Sequence, residues 1–146
     1  MAIFPETIVL IGVNHKTAPL ELRERLACSA GYEPPLAALS SLTSLREYYL
    51  LSTCNRVEIA FVSSEVRRAR ADILNTLFAP EVKAAELEPH IYQYEQEAAI
   101  EHLFQVAASL DSMVVGEAQI LGQMKDAYRA AAKAGGTGLI LNRLLH

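Results

Sequence analysis

The chain has 146 residues, 51% of them hydrophobic and 21% charged, with a formal net charge of −4. That length supports one domain with a real core, and the composition is that of an ordinary soluble protein. The charge excludes a self-sufficient phosphate-binding surface: the densest basic patch, Arg67-Arg68-Ala69-Arg70, reads as the solvated face of a helix, so any nucleic-acid contact rests on a few residues or on parts outside this chain.

Residues 7–13 read as a buried strand that ends in the polar stretch Asn14-His15-Lys16-Thr17. Residues 19–27 read as a short helix with Pro19 in its first turn. Residues 31–35 break the pattern, and 36–45 read as a helix with Leu36, Leu39 and Leu42 on one face. Residues 46–53 and 57–63 read as two strands, and 65–78 as a helix with Ile73, Leu74 and Leu77 inward. A weakly structured acidic connection over 81–89 leads to a strand at 90–94. The order strand, helix, strand, strand, helix, strand is that of a split βαβ, an α+β ferredoxin-like sandwich.

A helical C-terminal segment follows. Residues 97–109 carry Ile100, Leu103, Phe104 and Ala107 at helical spacing, and 117–134 carry Ile120, Leu121, Met124 and Tyr128. Gly135-Gly136 stops the second helix. The end, 139–146, is apolar and uncapped: Leu139, Ile140, Leu144 and Leu145 need a partner surface, as in a fragment cut before a further domain.

Cys28 and Cys54 form no C-x-x-C pair and no metal-ligand spacing, and His15, His90 and His146 make no zinc pair, so no metal is expected. Met1-Ala2-Ile3-Phe4-Pro5 is not a signal peptide, and no apolar run reaches the roughly 18 residues of a membrane helix. The expectation is a cytoplasmic protein with reduced thiols and no membrane contact. Gly135-Gly136-Thr137-Gly138 looks like a phosphate loop, but it follows a helix instead of a strand.

Ser52-Thr53-Cys54-Asn55-Arg56 carries the most chemistry. It places a cysteine in a small polar cluster between two apolar strands, a turn or bulge that can expose a thiol. Arg56 adds a fixed positive charge two residues away, which favours the reactive thiolate. Against this, a lone cysteine is usually a small buried hydrophobe. His102 lies beside the apolar stripe of its helix, where a side chain can reach into a cleft or rest as a satisfied half-buried histidine. Ser112 follows Asp111 in a loop and suits a cap or turn. Gln119 and Gln123 share a helical face, either solvated or holding a polar ligand, and Gly122 between them allows close approach of a ligand or backbone.

Three motifs in order resemble the N-terminal catalytic domain of glutamyl-tRNA reductase. They are Gly12-Val13-Asn14-His15-Lys16-Thr17-Ala18-Pro19, Ser52 through Glu58, and His102-Leu103-Phe104 through Leu110-Asp111-Ser112-Met113-Val114-Val115-Gly116-Glu117 with Gln119-Ile120-Leu121-Gly122-Gln123. Ala118 stands where many members have proline. The resemblance implies a catalytic, glutamyl-recognising domain over residues 1–146 that ends before an NADPH-binding and a dimerising domain. It implies that Cys54 attacks the ester of glutamyl-tRNA to give a thioester. NADPH then reduces the thioester to glutamate-1-semialdehyde, the first step of tetrapyrrole (porphyrin) biosynthesis from glutamate. His102 would assist proton transfer or position the ester, and Arg56 would hold a substrate carboxylate. Thr53, Asn55, Ser112, Glu117, Ala118, Gln119 and Gln123 would complete the glutamyl site, with Glu117 facing the substrate ammonium. The implied partners are glutamyl-tRNA, a second copy of the full-length chain, and a glutamate-1-semialdehyde aminomutase. Two other readings stand beside this one: a ferredoxin-like ligand-binding module with no chemistry, which predicts an unreactive Cys54, and a small cysteine esterase built on a Cys-His dyad.

Overall fold

A computed structural model of the chain describes residues 5–78, 82–108 and 120–145. The apolar runs become β1 (Thr7–Asn14), β2 (Glu47–Ser52), β3 (Arg56–Ser63) and β4 (Tyr92–Glu95). Among the described residues they form one sheet in the order β2-β3-β1-β4, with every neighbouring pair antiparallel. All of β3 is buried, and so is β1 after its first residue. Strands covered on both faces read as continuous apolar runs, which is why 7–13 showed no alternation.

The side-chain period of two assigns the faces. Ser52 and Ser63 lie on one side, where Cys28 N–H donates to Ser52 Oγ and Ser63 Oγ–H donates to the Ser44 carbonyl. Helices α1 (Leu20–Leu26), α2 (Glu33–Ser40) and α3 (Val66–Ile73) belong to that side. Glu47 and Glu58 lie on the other side, toward α5 (Glu97–Ala107) and α7 (Leu139–Leu145), while α6 (Ile120–Lys133) packs along β2. The C-terminal helices are therefore part of the packed domain: α5 and α7 lie on the second face, and α6 runs along β2 and touches α2 and α5. Phe61, Leu10, Ile59 and Leu50 fill the core, where truncating one large side chain to alanine costs about 2–5 kcal/mol.

Some element ends depart from expectation. Helix α2 begins at Glu33, so Pro34 and Pro35 open it instead of breaking the pattern before it; in a first turn their missing N–H groups cost nothing. Helix α3 passes into a π-helical turn over Leu74–Phe78 that turns Leu74 and Phe78 inward. The acidic connection holds a short helix, α4 (Ala84–Leu87), and a 3-10 turn at Glu88–His90, so β4 starts later than expected. Gly135, at φ +81°, terminates α6 as expected. The chain then crosses the outer edge of β2, where Tyr48 N–H donates to the Gly136 carbonyl at 2.8 Å. A Cβ at Gly136 would collide with the Tyr48 ring, so only glycine lets the chain lie this close. Part of the apolar tail packs as α7: Leu141 is fully buried and Ile140, Leu144 and Leu145 are partly buried against the core, while Leu139 stays 76% exposed.

Candidate active site

The turn between β2 and β3 is built by its own threonine. Thr53 Oγ1 accepts the N–H groups of Asn55 at 3.1 Å and Arg56 at 3.2 Å, and Thr53 N–H donates to the Arg56 carbonyl at 2.8 Å. A hydroxyl bonding to the following backbone in this way closes a tight turn. Thr53 and Asn55 are buried, while Cys54 is exposed at the tip. The expected junction of two strands thus presents a thiol to solvent.

Arg23 fixes that tip from below. It is buried, its Nη1 donates to the Cys54 carbonyl at 2.7 Å, and its Nε donates to the Ala18 carbonyl at 3.2 Å. Leu22, Arg23 and Leu26 share the inward face of α1, so an arginine in that stripe was the sequence signal for this role, and it was overlooked.

Cys28 differs from Cys54 in kind. It is half-buried, and burial pushes its thiol up, a shift that the neighbouring Ser52 opposes. Tyr32 donates its OH to the Ser52 carbonyl and accepts Ser52 N–H, which pins the last residue of β2, and burial raises its phenol as well.

Arg56 is the first residue of β3. It is 1% exposed, and its Nη1 pairs with Glu58 Oε2 at 3.4 Å, one side-chain step further along β3. The expected substrate-facing fork is a buried floor of the site, partly matched by an acid. Glu58 is itself 1% exposed and is the hub of the floor. The same Oε2 accepts Tyr92 OH at 2.5 Å and His102 Nε2 at 2.5 Å. His102 is buried, stacked on Tyr94 with ring centroids 4.8 Å apart, and not half-buried at a cleft edge. No hydrogen bond joins His102 to Cys54 among the described residues, so a preformed Cys-His dyad is not part of this site. Glu58, a lone acid inside an apolar strand, was visible in the sequence as a residue that burial requires to be paired.

Of the remaining site residues, Gln123 lies on α6, half-buried, with its Oε1 buried and unpartnered among the described residues. Ser112, Glu117, Ala118 and Gln119 lie outside the described residues. Among the described residues no group of three metal-ligating side chains converges, and no helix is long and apolar enough to cross a membrane. The glycine run after α6 does not suit a dinucleotide. Gly138 N–H donates to Glu47 Oε1 at 2.8 Å, and Glu47 also accepts the N–H groups of Ile140 and Leu141. A carboxylate already occupies the donors that a pyrophosphate would need, so among the described residues this loop offers NADPH no seat.

Known proteins are similar to this chain. The family model described as the N-terminal domain of glutamyl-tRNA(Glu) reductase matches residues 11–146. The glutamyl-tRNA reductase of Desulfotalea psychrophila is 50% identical over 143 residues, covering 98% of this chain and 34% of that protein. That of Pelobacter propionicus is 49% identical over 141 residues, covering 95% of this chain and 32% of that protein. The solved structure of the glutamyl-tRNA reductase from Methanopyrus kandleri superimposes with a TM-score of 0.75 at 28% identity, covering 94% of this chain and 31% of that one. The chain spans about a third of the length of these relatives. A match over nearly the whole chain, with the cysteine turn inside it, shows that the chain belongs to the glutamyl-tRNA reductase family and represents its N-terminal domain.

Proposed function

We propose that this chain carries out the acyl-transfer half of an NADPH-dependent glutamyl-tRNA reductase. The Cys54 thiolate attacks the ester carbon of glutamyl-tRNA, a C–S bond forms, and the C–O bond to the tRNA ribose breaks. The departing hydroxyl takes up a proton, and the glutamyl group remains as a thioester. The observation that carries this reading is the exposed thiol at the tip of a turn whose backbone is held by Thr53 and Arg23, in a chain whose other cysteine is half-buried.

His102 hydrogen-bonds the Glu58 hub, and on this reading it exchanges the proton with the reacting ester. Arg56 lies in the same floor and takes the substrate carboxylate. Thr53 and Asn55 would shape the turn against the glutamyl group, and the buried, unpartnered Gln123 Oε1 supports a place for its amide in the same site. Ser112, Glu117, Ala118 and Gln119 complete the glutamyl site on the family's pattern.

The sheet order β2-β3-β1-β4 with all-antiparallel neighbours supports the ferredoxin-like description. The reading treats residues 1–146 as one catalytic domain of a cytoplasmic enzyme of tetrapyrrole biosynthesis. It leaves hydride transfer from NADPH, the dimer contacts and any docking of the aminomutase to other parts of the full-length protein.

The test is to mix full-length protein with glutamyl-tRNA without nicotinamide and digest it. Mass spectrometry should find a glutamyl adduct on the Cys54 peptide that hydroxylamine removes. An adduct on Cys28, or none under conditions where the protein is folded, refutes the assignment.

A further inference from the structure

The acyl-transfer scheme gives Glu58 and Tyr92 no part, yet the two meet at the residue that scheme uses to move a proton. Tyr92 is on β4 and Glu58 on β3, with β1 between them. Adjacent strands lie about 4.8 Å apart, so the two backbones are separated by roughly 10 Å. The side chains close that distance over Gly12, which faces Glu58 on one side and Tyr92 on the other. A Cβ at Gly12 would come within 2.9 Å of Glu58 Cγ and 2.6 Å of the Val57 carbonyl. Glycine is what leaves room for the carboxylate to lie across the strand and take the phenol.

The carboxylate then holds the imidazole. An ionised carboxylate only accepts, so Glu58 Oε2 takes its hydrogen bond at 2.5 Å from a protonated His102 Nε2. In a neutral imidazole that leaves the lone pair on Nδ1. Tyr94 stacks on the ring, and Tyr92 lies beside it with centroids 5.4 Å apart, so the ring plane is fixed as well as its tautomer. Arg56 supplies the remaining named charge at the hub. A buried carboxylate with three side-chain donors is a costly way to fill a core, since replacing such a group as a whole with apolar residues is often neutral or stabilising.

We propose that Tyr92 and Glu58 are positioning residues for the acyl-transfer step. Tyr92 orients the Glu58 carboxylate, and Glu58 keeps His102 protonated on Nε2 so that Nδ1 is the nitrogen that exchanges a proton with the reacting group. This inference rests on the role given to His102 above, and the test separates the two.

In the full-length protein, single-turnover loss of the ester from glutamyl-tRNA is followed for wild type, Tyr92→Phe, His102→Ala and the double variant. Tyr92→Phe keeps the ring and its packing. It should slow acyl transfer about tenfold with little change in the substrate concentration needed for half-maximal rate. His102→Ala should slow it further, and adding Tyr92→Phe to it should change the rate less than twofold. An equal loss in both backgrounds, or no loss from Tyr92→Phe alone, overturns the positioning role while leaving His102 in the chemistry. A wild-type rate in His102→Ala, with Cys54 still acylated, refutes the His102 assignment and this inference with it. Nitrogen-15 spectra of the imidazole give an independent readout. Wild-type His102 should show a protonated Nε2 whose resonance moves in Tyr92→Phe, and a proton on Nδ1 in the wild type overturns the proposal.

Discussion

Glu47 and Glu58 stand near opposite ends of the β2–β3 hairpin, both buried on the same face of the sheet, and their partners differ in kind. Glu47 takes backbone N–H groups from Gly138, Ile140 and Leu141. Glu58 takes side-chain donors from Arg56, Tyr92 and His102. Backbone donors of a helix start exist whatever the side chains are, so an acid that satisfies them joins one element to another. Side-chain donors must each be supplied by a particular residue, and what they gain from the acid is a fixed orientation. One end of the hairpin is a joint, and on the proposed reading the other holds the groups that act on the ester.

The sharpest way to break that contrast is to remove the thiol. Cys54→Ser should lower acyl transfer from glutamyl-tRNA by about a thousandfold or more, because the hydroxyl is a far weaker nucleophile near neutral pH. Its melting temperature should match wild type, since Cys54 is exposed. Substantial acyl transfer by the serine variant would move the chemistry away from this end.

Glu47→Ala tests the joint. It strands three N–H donors, that of Leu141 buried and those of Gly138 and Ile140 part-buried, at a cost of about 3 kcal/mol and a fall in melting temperature on the order of 10 °C. Acyl transfer per folded molecule, measured well below the transition, should stay within twofold of wild type. A selective loss of activity with unchanged melting would reverse the assignment of the two ends.

Arg56→Lys probes the holder from its cationic side. Lysine keeps the charge against Glu58 but lacks the planar fork, so kcat/KM for glutamyl-tRNA should fall about tenfold. Iodoacetamide labelling of Cys54 should change much less. Parallel losses in both would mean that Arg56 acts on the nucleophile, and no loss in either would remove it from the site.

The smallest effect separates the two cysteines. Burial raises the Cys28 thiol above its ordinary value of 9.0, so labelling of Cys28 should lag behind that of Cys54 at neutral pH and accelerate only above about pH 9. The folded chain holds that proton longer than the unfolded one. The associated stability is therefore present below about pH 9 and lost as pH climbs through the raised value. A denaturant midpoint that rises between pH 9 and 10.5 in wild type relative to Cys28→Ala would contradict this sign.

The sheet was legible because burial on both faces writes a continuous apolar run, as in Ile8 through Val13 and Ile59 through Val62. The exposed thiol was legible too, since Thr53-Cys54-Asn55 interrupts two such runs. The start of α2 was hidden because Pro34 and Pro35 signal a break everywhere except a first helical turn. The floor of the site was hidden for a different reason. Glu58, Tyr92 and His102 come together only through strand register and the opening at Gly12, and neither is written in local periodicity. Arg56 was read from its sequence distance to Cys54, whereas its side chain is buried beside Glu58. Alternation along β3 sends it the same way as Glu58, two residues on, and that constraint outweighs its closeness in sequence to Cys54.

The passage of Gly136 across β2 also bears on how this protein behaves when crowded. An outer strand with unpaired amides is a template on which another chain can add a strand. Here Tyr48 N–H is already given to the Gly136 carbonyl, and the chain lies flat against the Tyr48 ring. The opposite border, β4, is only four residues long. A side chain forced in at position 136 would lift that cover, so Gly136→Val should promote aggregation on concentration beyond what its loss of folding stability accounts for.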